Sequence, residues 1–377
     1  MKDILIVGAG FFGAVLAERI ASDAGLPVTV IDRRNHIGGN SWSEVDDETG
    51  IEYHKYGSHI FHTSDEAVWK YINRFASFNN YRHTVWTTYG GRVYSMPINL
   101  ATINAYYGLA LSPDEARSLI IDEAAKEGVD QPRNLEEKAI SLIGRPLYEA
   151  FIRGYTIKQW EKDPLELAAD IITRLPVRYN YNNRYFSDKY EGIPTQGYGK
   201  LFQQMLEHPL IKIKLETDFA SYREKISPDT IVVFTGPIDA FFEYALGRLE
   251  WRTVDFVAER PTCQDFQGTS VMNFADEDMP YTRIHEFKHY HPEREATDAT
   301  LIFREYSRFA EKGDEPYYPV DTESNRLLFE KYQAYACEKA PNVIFGGRLG
   351  MYQYLDMDDA IAAALNCYSR QLLPRLM

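Results

Sequence analysis

Apolar residues are distributed along the chain in runs whose rhythm changes from region to region. Ile4–Val7 is a short unbroken apolar run, which predicts a strand buried on both faces. Gly8-Ala9-Gly10 interrupts it, and from Ala14 to Ala21 the apolar residues return at helical spacing. Val28-Thr29-Val30-Ile31 predicts a second strand, closed by Asp32. Strand, glycine turn, helix, strand and acid is the order of a βαβ unit. From about Leu100 to Ile172 the rhythm is helical. Ser112-Pro113-Asp114-Glu115 predicts a capping box with proline at the first helical position. Asn134 predicts the cap of another helix ending near Gly144, and Pro146 the start of a third running toward Trp160. From Val177 to about Gly199 the chain is dense in Tyr and Asn and lacks a helical pattern. Thr230–Thr235 predicts a buried strand closed by Gly236-Pro237, and residues 250–308 hold several strand-like runs, Ala299–Tyr306 among them. Asn342–Phe345 predicts a last short strand, followed by Gly346-Gly347-Arg348 and a helix over Asp356–Leu365.

Composition narrows the partners. The chain has 377 residues, room for more than one domain, and a net charge of −14 with no long basic run. That argues against nucleic acid or an anionic membrane as the main partner, so bound anions must be met by local arginines and backbone dipoles. The three cysteines, Cys263, Cys337 and Cys367, are far apart and form no C-x-x-C, which fits a reduced, cytoplasmic chain without a cysteine metal site. No apolar run approaches the roughly 18–20 residues that span a bilayer. Met1–Leu16 has a faint signal-peptide texture, but its glycines follow a tighter pattern, and export is not expected.

That tighter pattern is Gly8-x-Gly10-x-x-Gly13. It follows a strand, opens a helix and has Asp32 at the end of the next strand. Glycines there let the backbone approach a pyrophosphate sitting on the helix N-terminus, and Asp32 can accept ribose hydroxyls. A second glycine pair comes at once in Arg34-x-x-x-Gly38-Gly39. It resembles the pair that FAD enzymes of the glutathione-reductase and amine-oxidase type carry, and implies passage near the ribityl-phosphate end of FAD. In GRLGMYQYLDMDDAI a helix beginning near Asp356-Met357 can point its positive end at the flavin N1/C2=O edge, with Arg348 adding a charge nearby. The expected fold class is α/β, with a discontinuous Rossmann-like FAD-binding domain (residues 1–75, 196–245 and 320–377). A helical substrate domain (98–175) and an antiparallel β-sheet domain (76–97, 176–195 and 246–319) complete it.

Several stretches, in order, resemble the bacterial branch of the UDP-galactopyranose mutase family: GNSW (39–42), KYGSHIFHT (55–63), GYTIKQW (154–160), RLPVRYNYNNRYF (174–186), PYTRIHEF (280–287), EPYYPV (315–320) and GGRLGMYQYLDMD (346–358). The resemblance runs from Ile4 to about Ala363. It implies an isomerase that interconverts UDP-galactopyranose and UDP-galactofuranose without net redox, with N5 of reduced FAD as nucleophile at the anomeric carbon. It also implies a cytoplasmic homodimer serving cell-surface polysaccharide synthesis.

The same resemblance implies the site residues. Arg174 and Arg283 match the two diphosphate-binding arginines, whose guanidinium forks suit phosphate oxygens and a departing UDP. Trp160 matches the tryptophan of a mobile substrate-covering loop, Phe151 a uracil-stacking position and Thr156 a uridine contact. Tyr185, Tyr317 and Tyr354 match tyrosines that reach the phosphates, though among 27 tyrosines an arbitrary one is structural. Asn273 matches a nucleotide contact. His83 stands near the sugar where the family usually has asparagine; either can hydrogen-bond a hydroxyl. On the cofactor side the implied contacts are Gly8, Gly10, Phe12, Gly13, Asp32, Arg33, Gly38, Gly39, Asn40, His59, Ile60, Asp218, Phe219, Arg348, Leu355, Asp356, Met357, Asp358, Asp359 and Ala360. His59-x-x-His62 has no carboxylate at convincing spacing and is not read as a metal site. No carboxylate pair suggests acid/base catalysis. An FAD-dependent oxidase or dehydrogenase of the amine-oxidase type shares the glycine motifs but has no need of a diphosphate clamp. A non-catalytic flavoprotein that only binds a nucleotide-sugar would not need a complete flavin set beside that clamp.

Overall fold

A computed structural model of the chain describes residues 3–172, 177–294 and 297–376. Its first sheet is five-stranded and parallel, in the order Val343–Phe345, Ile231–Phe234, Ile4–Val7, Val28–Ile31, Ile211–Lys214. Ile6, Val30, Ile31 and Val233 are fully buried, as strands covered on both faces require. One face is covered by the Phe11–Ser22 helix, which packs against the Gly197–Leu206 and Met357–Cys367 helices. All of these belong to one apolar cluster with Leu16, Ile20, Phe202 and Ile361. The last strand and the last long helix therefore return to complete the sheet that the first residues begin.

The second sheet has seven strands, in the order Tyr318–Pro319, Trp251–Glu259, Ile302–Phe309, Arg283–Glu286, Val271–Phe274, Val85–Tyr89, Arg92–Met96. It departs from the all-antiparallel expectation at one place: Val85–Tyr89 runs parallel to Val271–Phe274. Those strands lie far apart in sequence, so the long connection a parallel pair needs is available.

After Arg92–Met96 the chain leaves this sheet and builds a helical layer. Its helices are Leu100–Tyr107, Pro113–Ala125 and Leu135–Tyr148. Ser112 and Glu115 form the capping box, and Asn134 Oδ1 accepts from Glu137 N at 2.9 Å. Gly144, at φ 74°, breaks the third helix, which resumes through Pro146. The layer has its own core of Ile103, Ile140, Ile143, Leu147 and Phe151. Among the described residues, two helices of ten or more residues had no expectation behind them, nor had the shorter Glu66–Ile72 helix. Glu323–Lys339 buries only Asn325, Tyr332 and Ala336, too few apolar positions to register as periodic, although Thr322 caps it. Gly197–Leu206 is strongly amphipathic but opens on Gly197-Tyr198-Gly199, which disguises its start. The predicted Ala299–Tyr306 strand lies three residues later, at Ile302–Phe309.

Candidate active site

Two glycine loops form one end of the site. Gly10 caps the Phe11–Ser22 helix with no side-chain hydrogen bond, so the N–H groups of its first turn have no side-chain cap. A Cβ on Gly13 would sit 2.0 Å from Gly8 O, so only glycine allows the turn to close on its own helix. Asp32 fixes this loop from the next strand: Oδ2 accepts from Ala9 N at 2.8 Å and Oδ1 from Arg34 N at 2.9 Å. The second loop lies directly on the first. Gly38 N donates to Ala9 O at 2.8 Å, and a Cβ on Gly39 would stand 3.1 Å from Gly10 Cα. Gly39 is thus needed for contact between two backbones, and Gly38, at φ 89°, for the close approach of the Phe202 ring, which an added Cβ would meet at 2.8 Å. Arg34 stacks on Tyr56, 4.3 Å from the ring centre, donates to Asn40 Oδ1 at 2.8 Å and pairs with Glu315 at 2.9 Å. Arg33 pairs with the same carboxylate from an exposed position.

From these loops a cavity of about 600 Å³ extends to the second sheet. On the side of the first sheet it is walled by Asn40, His59, Ile60, Arg348, Asp356 and Met357. Arg348 donates to Leu355 O and lies 4.7 Å from the Tyr354 ring centre. Tyr354 OH in turn donates to Asp356 Oδ1 at 3.1 Å, at the start of the Met357–Cys367 helix. His59 N donates to His54 Nδ1 at 2.9 Å, and burial pulls the His59 imidazole down to about 4, so it is neutral at physiological pH.

The facing wall carries His83, Tyr185, Asn273, Arg283 and Tyr317, with Tyr354 on the Arg348 side. Arg283 Nε lies 2.9 Å from Glu305 Oε1, and His285 Nε2 lies 2.9 Å from Glu305 Oε2. Burial opposes the charge on Glu305, but Arg283 and His285 outweigh it and hold the carboxyl at about 2. Burial likewise opposes the Arg283 charge, and Glu305 outweighs it, so Arg283 titrates well above its ordinary value. His285 is lowered by burial despite Glu305, and its Nδ1 contacts Ser58 Oγ, the residue before His59. The two walls are therefore joined by an unbroken Arg283–Glu305–His285–Ser58 series. His83 Nδ1 meets Tyr81 OH at 2.9 Å, and burial pulls it down to about 3. Among the described residues Asn273 Oδ1 is buried without a partner, and its residue lines the cavity. Trp160 closes one side at the end of the Gly154–Trp160 helix.

Other expected residues stand elsewhere. Phe151 is 4% exposed in the helical core, 5.0 Å from the Tyr94 ring, and Thr156 is buried; neither lines the cavity. Asp218 caps a short helix, and Phe219 stacks on Phe241 at 5.4 Å. Asp358, Asp359 and Ala360 occupy the first turn of the last long helix behind Met357, and Phe12 is buried beside the first loop. Arg174 lies outside the described residues. His62, read without a carboxylate, meets Asp188 at 2.9 Å. The residues that sequence reasoning missed are Tyr155, Arg252, His285, Glu305 and Tyr318, all in the cavity wall. Glu305 had a signal: it alternates with Phe303 on the buried face of a strand, where a charge needs a partner.

Comparison with known proteins bears on this geometry. The family pattern described as UDP-galactopyranose mutase matches residues 150–354, and that of an NAD(P)-binding Rossmann-like domain matches residues 6–75. The chain is 46% identical over 365 residues to a protein of Klebsiella pneumoniae named "Probable UDP-galactopyranose mutase", covering 97% of this chain and 93% of that one. It is 43% identical over 371 residues to the dTDP-fucopyranose mutase of Escherichia coli, covering 97% of each. A solved structure of reduced UDP-galactopyranose mutase superposes with a TM-score of 0.75 at 16% identity, covering 99% of this chain and 94% of that one, a likeness of fold.

Proposed function

The chain belongs to the UDP-galactopyranose mutase family, and from that premise we propose that it interconverts UDP-galactopyranose and UDP-galactofuranose with reduced FAD and no net redox. The observation that carries the reading is a single cavity that joins the wall bearing Asn40, Arg348 and Met357 to the wall bearing Arg283.

The chain's own residues fit a flavin dinucleotide. The helix start at Gly10 lacks a side-chain cap, and a Cβ on Gly10 would meet nothing nearer than Gly39 Cα at 3.8 Å, which leaves room there for a pyrophosphate. Asp32 would take a ribose hydroxyl with the lone pairs its two backbone bonds leave. The Met357–Cys367 helix start and Arg348 would face the flavin edge that is negative when reduced. Bound and reduced, the flavin supplies a nucleophilic N5 for the anomeric carbon.

The remaining work falls to side chains. Arg283, held in place by Glu305, binds the diphosphate and stabilises charge on the departing UDP, with Arg174 as the second fork. Neutral His83 and Asn273 hydrogen-bond hydroxyls of the substrate. Trp160 excludes water from the cavity, which protects the anomeric centre from hydrolysis. Phe151 and Thr156 belong to the base side of the nucleotide on this reading, and Tyr185, Tyr317 and Tyr354 to its phosphates. The same reading makes the enzyme a cytoplasmic homodimer that supplies galactofuranose for cell-surface polysaccharide.

The near-equal likeness to a dTDP-fucopyranose mutase favours a second substrate reading, the same ring contraction on a 6-deoxy sugar carried by dTDP. Purified yellow protein incubated with UDP-galactofuranose, with and without dithionite, tests the first reading by chromatography of UDP-galactopyranose. Conversion in the reduced sample alone is expected. Failure with full flavin reduction, together with turnover of dTDP-fucopyranose, transfers the activity to the second substrate. Peroxide formation in air with an amine or alcohol would replace both with an oxidase.

A further inference from the structure

Trp160 stands at the last position of its helix, and the next residue, Glu161, anchors it there. Glu161 is a non-glycine residue in the left-handed region, φ 52° and ψ 31°. Such a conformation persists where the surroundings impose it. Here they do so through its side chain. Glu161 Oε2 accepts from Arg252 Nη1 at 2.9 Å and from Phe309 N at 2.7 Å. Arg252 Nη2 donates to Ser307 Oγ at 3.1 Å, and Ser307 Oγ donates to Gln159 O at 3.1 Å. Residues on both sides of Trp160 are thus tied to two adjacent strands of the second sheet. Arg252 also lies 4.4 Å from the Phe309 ring centre.

The pairing is lopsided. The Arg252 side chain is 1% exposed, whereas that of Glu161 is 47% exposed. Arg252 lines the cavity, and among the described residues its Nε has no partner and its one bonded carboxylate is Glu161. A buried guanidinium whose carboxylate sits on the segment carrying Trp160 favours the arrangement in which that segment is docked. We propose that Glu161 and Arg252 are positioning residues that latch Trp160 over the cavity, so that substrate affinity depends on their ion pair. The proposal rests on the mutase reading above.

Glu161→Ala is the test, with Tm read beside the kinetics because the variant leaves the buried Arg252 guanidinium without its carboxylate. The expected result is a KM for UDP-galactofuranose raised about tenfold, the scale of a lost charge-assisted hydrogen bond, with kcat within about twofold. Glu161→Gln, which keeps an acceptor for Phe309 N, is expected to recover part of that loss. In a Trp160→Ala background Glu161→Ala is expected to add little, since the latch then holds nothing that covers the cavity. Hydrogen exchange of the 157–161 amides is expected to quicken in Glu161→Ala with no substrate present. Unchanged KM and exchange, or effects that simply add to those of Trp160→Ala, would overturn the latch. Absence of turnover by the unaltered protein would sink the mutase reading instead, while the exchange comparison still decides whether the ion pair holds the segment.

Discussion

Arg283 and Glu305 set each other's charge, and this makes the identity of the cation matter. Removing Arg283 outright would leave a buried carboxylate unpaired, at a cost of about 3–5 kcal/mol that would confuse folding with catalysis. Arg283→Lys keeps the charge and loses the fork. Because lysine lacks the planar fork that can face Glu305 through Nε and still present two parallel donors to phosphate, kcat/KM is expected to fall about 100-fold with flavin content unchanged. Unaltered kinetics in that variant would remove Arg283 from the diphosphate site. His83 offers a pH signature. Its folded value is pulled down to about 3 by burial, below the ordinary 6.5, so between those values the unfolded chain binds the extra proton. Stability is then complete above about 6.5 and falls with acidification, by up to about 1.4 kcal/mol per pH unit for each such group. His54, His59 and His285 shift the same way and add to the slope. His83→Asn is expected to flatten the decline of Tm between pH 6.5 and 4.5; an identical slope would mean that His83 does not titrate in that window.

At the level of elements, the two glycine loops work as a pair. Gly39 has φ 57° and its added Cβ would press on Gly10 Cα, which is backbone and cannot rotate away. Gly25 has a similar φ of 65° with nothing within 4 Å. Both Gly→Ala changes carry the left-handed penalty of about 1–2 kcal/mol, but only Gly39→Ala also forces the loops apart. Gly39→Ala is expected to purify with much less bound flavin and Gly25→Ala with a normal yellow colour; equal flavin content would show that the loop contact does not shape the cofactor site. These loops were legible because glycine spacing, an adjoining helix and Asp32 are local features. The Ser112 and Asn134 caps and the Gly144 break were legible for the same reason. Glu323–Lys339 was not, since its stability comes from a few buried contacts on an otherwise exposed helix. The parallel pairing of Val85–Tyr89 with Val271–Phe274 joins residues about half the chain apart, and no local pattern encodes it. Of the site, the resemblance carried Arg283, His83, Asn273 and Trp160 into the cavity wall. Glu305, His285 and Arg252 become functional candidates only when tertiary structure brings them beside those residues.

Over the whole molecule, the apolar clusters are unevenly tied to the cofactor side of the cavity. The large cluster includes Phe12, Ile60 and residues of the last long helix, so the elements that frame the glycine loops are also its walls. The helical layer packs around Ile103, Ile140 and Phe151 in a cluster of its own, and none of those three faces the flavin side. Ligand binding stabilises whatever must be folded for it to bind, by about 2.7 kcal/mol at a hundredfold excess over Kd. FAD should therefore protect the two parts differently. Stripping the flavin is expected to quicken hydrogen exchange in residues 4–60 and 343–367, the strands, loops and helix around its site, while residues 100–148 keep their protection. Restoring FAD should return the first group to its slow rates. Equal loosening of both regions would mean that the helical layer and the parallel sheet open as one cooperative unit. In that case the separate core of the insert gives it no independence, and changes in its packing would reach the flavin without any contact with it.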